Sequence, residues 1–108
     1  MKAIIDVDGK KAIVNTGTDE RILEVGDRAG TERWYDSFRG TDLMAHVTKN
    51  GRTVYYLYHW TRYQDEADGI EAVTKEQALN WLMKNYHFAC ESEREKAAKY
   101  GLNVHETA

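Results

Sequence analysis

The chain contains no proline, a single cysteine and no long apolar run. Without proline, the turns must be shaped by Gly, Asn and Asp, the residues that tolerate unusual backbone angles. One cysteine, Cys90, excludes an internal disulfide and a cysteine-rich zinc site. Residues 1–11 hold three consecutive apolar positions before the first acid, too few for a secretory leader. No window approaches the roughly 20 apolar residues of a membrane span. The composition therefore predicts a soluble chain acting in the cytoplasm, with no membrane partner. Positive charge is also scarce: the formal net charge is -3 and the isoelectric point lies near 5.8. Proteins that live on duplex DNA show the opposite balance, so general nucleic-acid binding is disfavoured.

What the sequence does hold is a folding chain. Its 108 residues are 42% apolar and 31% charged, suited to a single α+β domain over 1–102 with a tail at 103–108. Ala3, Ile5 and Val7 alternate with Ile4 and Asp6, Asp8-Gly9 follows, and Ala12 and Val14 flank Ile13; this reads as a β-hairpin. A third strand is expected over 21–25 and another over 33–39, which contains Trp34, Tyr35 and Phe38. Segments 42–49 and 52–60 around Asn50-Gly51 predict a second hairpin with a two-residue turn, pairing Val47 with Val54 and His46 with Tyr55. That register sets Leu43, Ala45 and Val47 beside Val54, Tyr56, Tyr58 and Trp60, and places Asp42 opposite His59.

An edge strand over 70–73 precedes two helices. Thr74 and Gln77 form one capping box, followed by Ala78, Leu79, Leu82, Met83 and Tyr86 on a core-facing stripe. Ser92 and Glu95 form a second box, opening a short helix that stops at Gly101. Strands followed by helices argue for an antiparallel sheet of about five to seven short strands, with both helices packed on one face.

Few residues suggest chemistry. Ile4-Ile5-Asp6-Val7-Asp8-Gly9 resembles the nucleophile motif of haloacid-dehalogenase-like phosphatases, but Lys10 stands where that motif has threonine. No downstream acidic pair completes a magnesium site, and Asp-Gly is what a hairpin turn wants. A hydrolase built on Asp6 and Asp8 ranks last. The histidines at 46, 59, 87 and 105 form no metal-binding pattern, and Cys90 reads as a small buried hydrophobe. No catalytic residue, metal or cofactor is expected.

The unusual feature is the aromatic run over 55–63. Aromatics on both faces of one strand mean either burial on both sides or one face kept for a partner. The partner reading assigns contacts to Tyr55, Leu57, His59, Arg62 and Tyr63, since interfaces are enriched in aromatics and arginine. Asp65, Glu66, Asp68 and Glu71 form an acidic segment beside them. The same face could stack unpaired bases, or serve as a homodimer interface.

Three stretches give a family likeness. Val14-Asn15-Thr16-Gly17-Thr18 comes first, then Thr48-Lys49-Asn50-Gly51-Arg52 leading to Tyr55-Tyr56-Leu57-Tyr58. Val73-Thr74-Lys75-Glu76-Gln77-Ala78-Leu79-Asn80-Trp81-Leu82 completes the layout. In this order they resemble small proteins carried by phages, plasmids and other mobile elements of Gram-positive bacteria. Valine stands in place of that layout's tyrosine and Gly17 in place of its glutamate. The resemblance implies a bacterial host cell and a host protein as partner, such as a CRISPR-Cas or restriction effector inhibited in the manner of anti-CRISPR proteins. The acidic segment would then mimic phosphate in a nuclease channel. The sequence thus points to a non-enzymatic protein-binding domain, with a single-stranded nucleic-acid binder as the alternative.

Overall fold

Strand alternation and helix capping come together in a computed structural model that describes residues 1–29, 31–32 and 37–104. The order is β1 (Lys2–Val7), β2 (Lys10–Asn15), β3 (Glu20–Gly26), β4 (Arg39–Val47), β5 (Thr53–Thr61) and β6 (Gly69–Val73), then α1 (Lys75–Lys84) and α2 (Glu91–Lys99). A single 3-10 turn, Tyr86–Phe88, lies between the helices. The α+β class and its strands-then-helices order are as the sequence predicts. Most of the expected strand over 33–39 falls on residues 33–36, outside the described residues, as does 105–108 of the expected tail; Ser37 and Phe38 are not strand, and Arg39 opens β4. Val104, placed in that tail by its sequence, packs against the core.

β1 and β2 form a two-stranded antiparallel sheet with Val7 opposite Lys10. Asp8 and Gly9 both have positive φ, 55° and 76°, the backbone of a type I′ turn. Here Asp-Gly serves the hairpin: the chain turns straight back, and Asp6 pairs with Lys11.

β3 to β6 form a second antiparallel sheet in sequential order. Both its faces are covered. Leu43, Ala45, Tyr55, Leu57 and Val73 face the helices and pack with Ala78, Leu82, Ala97 and Leu102. Met44, Val54 and Tyr56 face the other way and pack with Ile5, Ala12 and Val14 of the β1–β2 hairpin. A bulge between Arg21 and Leu23 brings both Ile22 and Leu23 into the helix-side cluster.

The β4–β5 register differs from the expected one by one residue. Val47 pairs with Thr53 and His46 with Val54. The turn holds three residues: Gly51 N donates to Thr48 O at 2.9 Å, Thr48 N donates to Arg52 O at 2.8 Å, and Gly51 alone has positive φ, 80°. One residue of slip changes which face each strand offers its neighbour. Asp42 therefore pairs with Tyr58 instead of His59, and His46 and His59 point to opposite faces.

α1 begins as expected. Thr74 Oγ1 accepts from Gln77 N at 3.1 Å, and Gln77 Oε1 accepts from Thr74 N at 2.9 Å. Met83, expected in the core, is 51% exposed, and Trp81 packs against the core in part. The second capping box sits two residues earlier than expected: Glu93 accepts from Cys90 N at 2.9 Å. Cys90 is accordingly the exposed N-cap residue and not a buried hydrophobe. α2 ends as a Schellman motif at Gly101, φ 87°, with Leu102 N donating to Ala97 O and Gly101 N to Ala98 O. No helix among the described residues is long and apolar enough to cross a membrane.

Candidate protein-contact surface

The end of the β4–β5 ladder is built around Trp60, whose register partner is Gly40. The indole sits against that glycine, where a Cβ would collide with the ring carbons. Its Nε1 donates to Asp42 Oδ1 at 2.9 Å, while Asp42 Oδ2 faces Arg21 at 3.9 Å. Asp42 is 5% exposed. Burial pushes its carboxyl up to about 6, Glu24 adds to the rise, and the Trp60 bond and Arg21 oppose it.

Beyond Trp60 the chain presents Arg62 and Tyr63 next to Phe38 and Arg39. Arg62 N donates to Phe38 O at 2.7 Å, holding the two segments together. The Phe38 and Tyr63 rings lie 5.5 Å apart, 47% and 43% exposed. The Arg39 guanidinium stands 4.7 Å from the Tyr63 ring and that of Arg62 stands 5.6 Å from Trp60. Arg39 also grips Glu66 with two hydrogen bonds, from Nε at 2.8 Å and from Nη2. Those bonds hold the Glu66 carboxyl below its ordinary value, with help from Thr61, and raise Arg39. A groove of about 640 Å³ runs alongside, lined by Val25, Thr41, His59, Trp60 and Glu66 among others.

The structure divides the residues that the sequence singled out. Tyr55 and Leu57 are core: 6% and 7% exposed beneath the helices, with the Tyr55 hydroxyl donating to Tyr100 O at 2.6 Å. Burial removes both from any contact surface, and with them the stacking platform of the aromatic sheet face. Arg62, Tyr63, Asp65 and Glu66 lie at the exposed corner with Phe38 and Arg39. The acidic segment is largely engaged with its own chain. Asp68 accepts from the Tyr58 hydroxyl and from Thr61 N at 2.9 Å. These bonds lower Asp68, and the Asp68 bond is the main cause that pushes Tyr58 up to about 12. Glu71 lies 3.0 Å from His59 Nε2.

His59 also meets Thr41 Oγ1 through Nδ1 at 3.0 Å, completing a hydroxyl–imidazole–carboxylate line across three strands. Such a line activates a hydroxyl when its base is held in a dry site. Here the His59 and Glu71 side chains are 46% and 60% exposed, so water competes for each bond. Cross-strand polar neighbours produce this contact pattern on any sheet. Among the described residues no group of three or more His, Cys, Asp or Glu side chains is arranged to hold a metal.

Sequence reasoning missed Phe38 and Arg39 as surface partners of Tyr63, and Trp60 as the partner of Arg62. Phe38 and Tyr63 are distant in sequence, and the β4–β5 pairing of Arg39 with Thr61 is what joins them. No protein-family model, curated protein or solved structure matches the chain.

Proposed function

We propose that this chain is a non-enzymatic protein-binding domain that meets its partner with the corner formed by Phe38, Arg39, Trp60, Arg62 and Tyr63. The observation behind this reading is the exposed Phe38–Tyr63 ring pair, held beside two arginines by the strand ladder. Rigid aromatics with arginine are the side chains from which binding hot spots are made. They lose little conformational freedom on docking because their positions are already fixed.

The resemblance to mobile-element proteins adds the finer proposal: the partner is a host defence nuclease, and binding inhibits it. The internal bonds of Glu66, Asp68 and Glu71 leave phosphate mimicry less support than the aromatic corner. Recognition by shape and stacking then dominates, with Asp65 contributing charge at the rim.

The test is co-expression with individual CRISPR and restriction effectors, followed by size-exclusion chromatography at high salt. A stoichiometric complex that Arg62→Ala and Tyr63→Ala dissolve, with unchanged melting temperature, supports the proposal. A complex indifferent to both variants removes the corner as the contact. Absence of a complex with every effector removes the inhibitor version.

A further inference from the structure

Three cations from distant parts of the chain line one pocket: Arg52 from the β4–β5 turn, Lys75 from the first turn of α1 and Lys99 from the last turn of α2. The pocket has a volume of about 460 Å³ and lies on the side of the molecule where α1 begins and α2 ends. Among the described residues, none of the three forms an ion pair with a carboxylate. Asp8 alone among the lining residues carries negative charge, so the lining holds three positive side chains against one acid.

In a chain of net charge -3, that local excess has an energetic consequence. Like charges brought together repel, and an arrangement of this kind is relieved by a bound anion. The C-terminus of α2 offers only the partial negative charge of its carbonyls, less than a full anion. The carbonyls of Ala97 and Ala98 accept from Leu102 N and Gly101 N, and the carbonyl of Tyr100 accepts from the Tyr55 hydroxyl. Lys75 reaches toward Gly101: a Cβ built there would lie 3.7 Å from its Nζ and 3.2 Å from the Tyr55 oxygen. Lys99 Nζ stands 5.7 Å from the Tyr100 ring, another lining residue.

We propose that this pocket binds a phosphate group, held by Arg52, Lys75 and Lys99. Arg52 supplies a planar fork suited to two phosphate oxygens, and the lysines supply compact charges that tolerate varied approach. The pocket is large enough for a phosphate with a small organic substituent, and Thr53 and Tyr100 line the space around it. This site is separate from the aromatic corner and does not depend on the partner proposed there.

The experiment is a titration of the isotopically labelled full chain with inorganic phosphate, pyrophosphate and methyl phosphate, followed by amide chemical shifts at constant ionic strength. Saturable shifts centred on residues 52–53, 75 and 99–101 are expected, with pyrophosphate tightest. Lys75→Gln and Lys99→Gln are each expected to weaken binding about tenfold, the effect of losing one charged hydrogen bond. Tighter binding of methyl phosphate than of phosphate identifies an ester as the ligand; equal binding identifies the bare anion. Shifts matched by sodium chloride alone, or affinities unchanged in both variants, overturn the proposal. A drop in melting temperature for both variants, with no phosphate-dependent shift in the parent, assigns the lysines to the α2 terminus instead.

Discussion

The hydroxyl of Tyr56 donates to the carboxylate of Asp19 across 2.7 Å, joining the centre of the large sheet to the turn that follows the first hairpin. The same carboxylate accepts from Asn15 N at 2.8 Å and meets His46 Nδ1 at 2.6 Å. Tyr56 is fully buried, and burial followed by the Asp19 bond raises its phenol far above the ordinary value. Tyr56→Phe keeps the ring and removes one of the bonds to Asp19. A loss of about 1–2 kcal/mol in denaturant stability is expected, with the fold retained. A fully stable phenylalanine variant would show that the remaining Asp19 contacts suffice.

Asp42 gives a pH dependence of definite sign. Its carboxyl rises from 3.8 unfolded to about 6 folded, so the native state binds the proton more tightly. Its contribution therefore stabilises the fold as pH falls from above 6 toward 4, and is lost as pH rises through that window. Asp42→Asn preserves an acceptor for Trp60 without the charge. At about pH 7.5 this variant is expected to be more stable than the parent by about 1–2 kcal/mol, the gap closing below about pH 4. Urea melts of both proteins across this range measure the gap directly, and a gap that widens on acidification would contradict the assignment.

Gly40 is fixed by the indole that covers it. A Cβ there would strike Trp60 and lie 2.9 Å from Nε1. Gly40→Ala must displace the ring and its bond to Asp42, at a cost of about 1–3 kcal/mol. Tryptophan emission is expected to change with it, as the indole moves. A variant with parental stability and emission would mean that the strand shifts at little cost.

The β4–β5 turn makes a finer prediction. Gly51 has positive φ, whereas Asn50 does not. Gly51→Ala is therefore expected to cost about 1 kcal/mol, and Asn50→Ala less than half of that. In a two-residue type I′ turn both positions would be left-handed and both substitutions would be costly. Thermal melts of the two variants distinguish the turns.

Local chemistry made part of this architecture legible in the sequence. Asp8-Gly9 supplies two left-handed positions, Thr74 and Gln77 cap each other, and Gly101 ends α2; each device needs nothing beyond its neighbours. The α+β order follows because the strand and helix periods are written in consecutive residues. The β4–β5 register could not be read that way. β5 carries apolar residues on both faces, so alternation does not say which partner strand position each one meets. Packing decided it: the helices bury Tyr55 and Leu57 while the first hairpin buries Val54 and Tyr56. Long-range pairing likewise set Phe38 beside Tyr63 and gathered Arg52, Lys75 and Lys99 around one pocket. The sequence determined which segments would be strands and helices through their own backbone preferences. Only the tertiary structure decided which aromatics became core and which became surface, because that depends on what covers each face of the sheet.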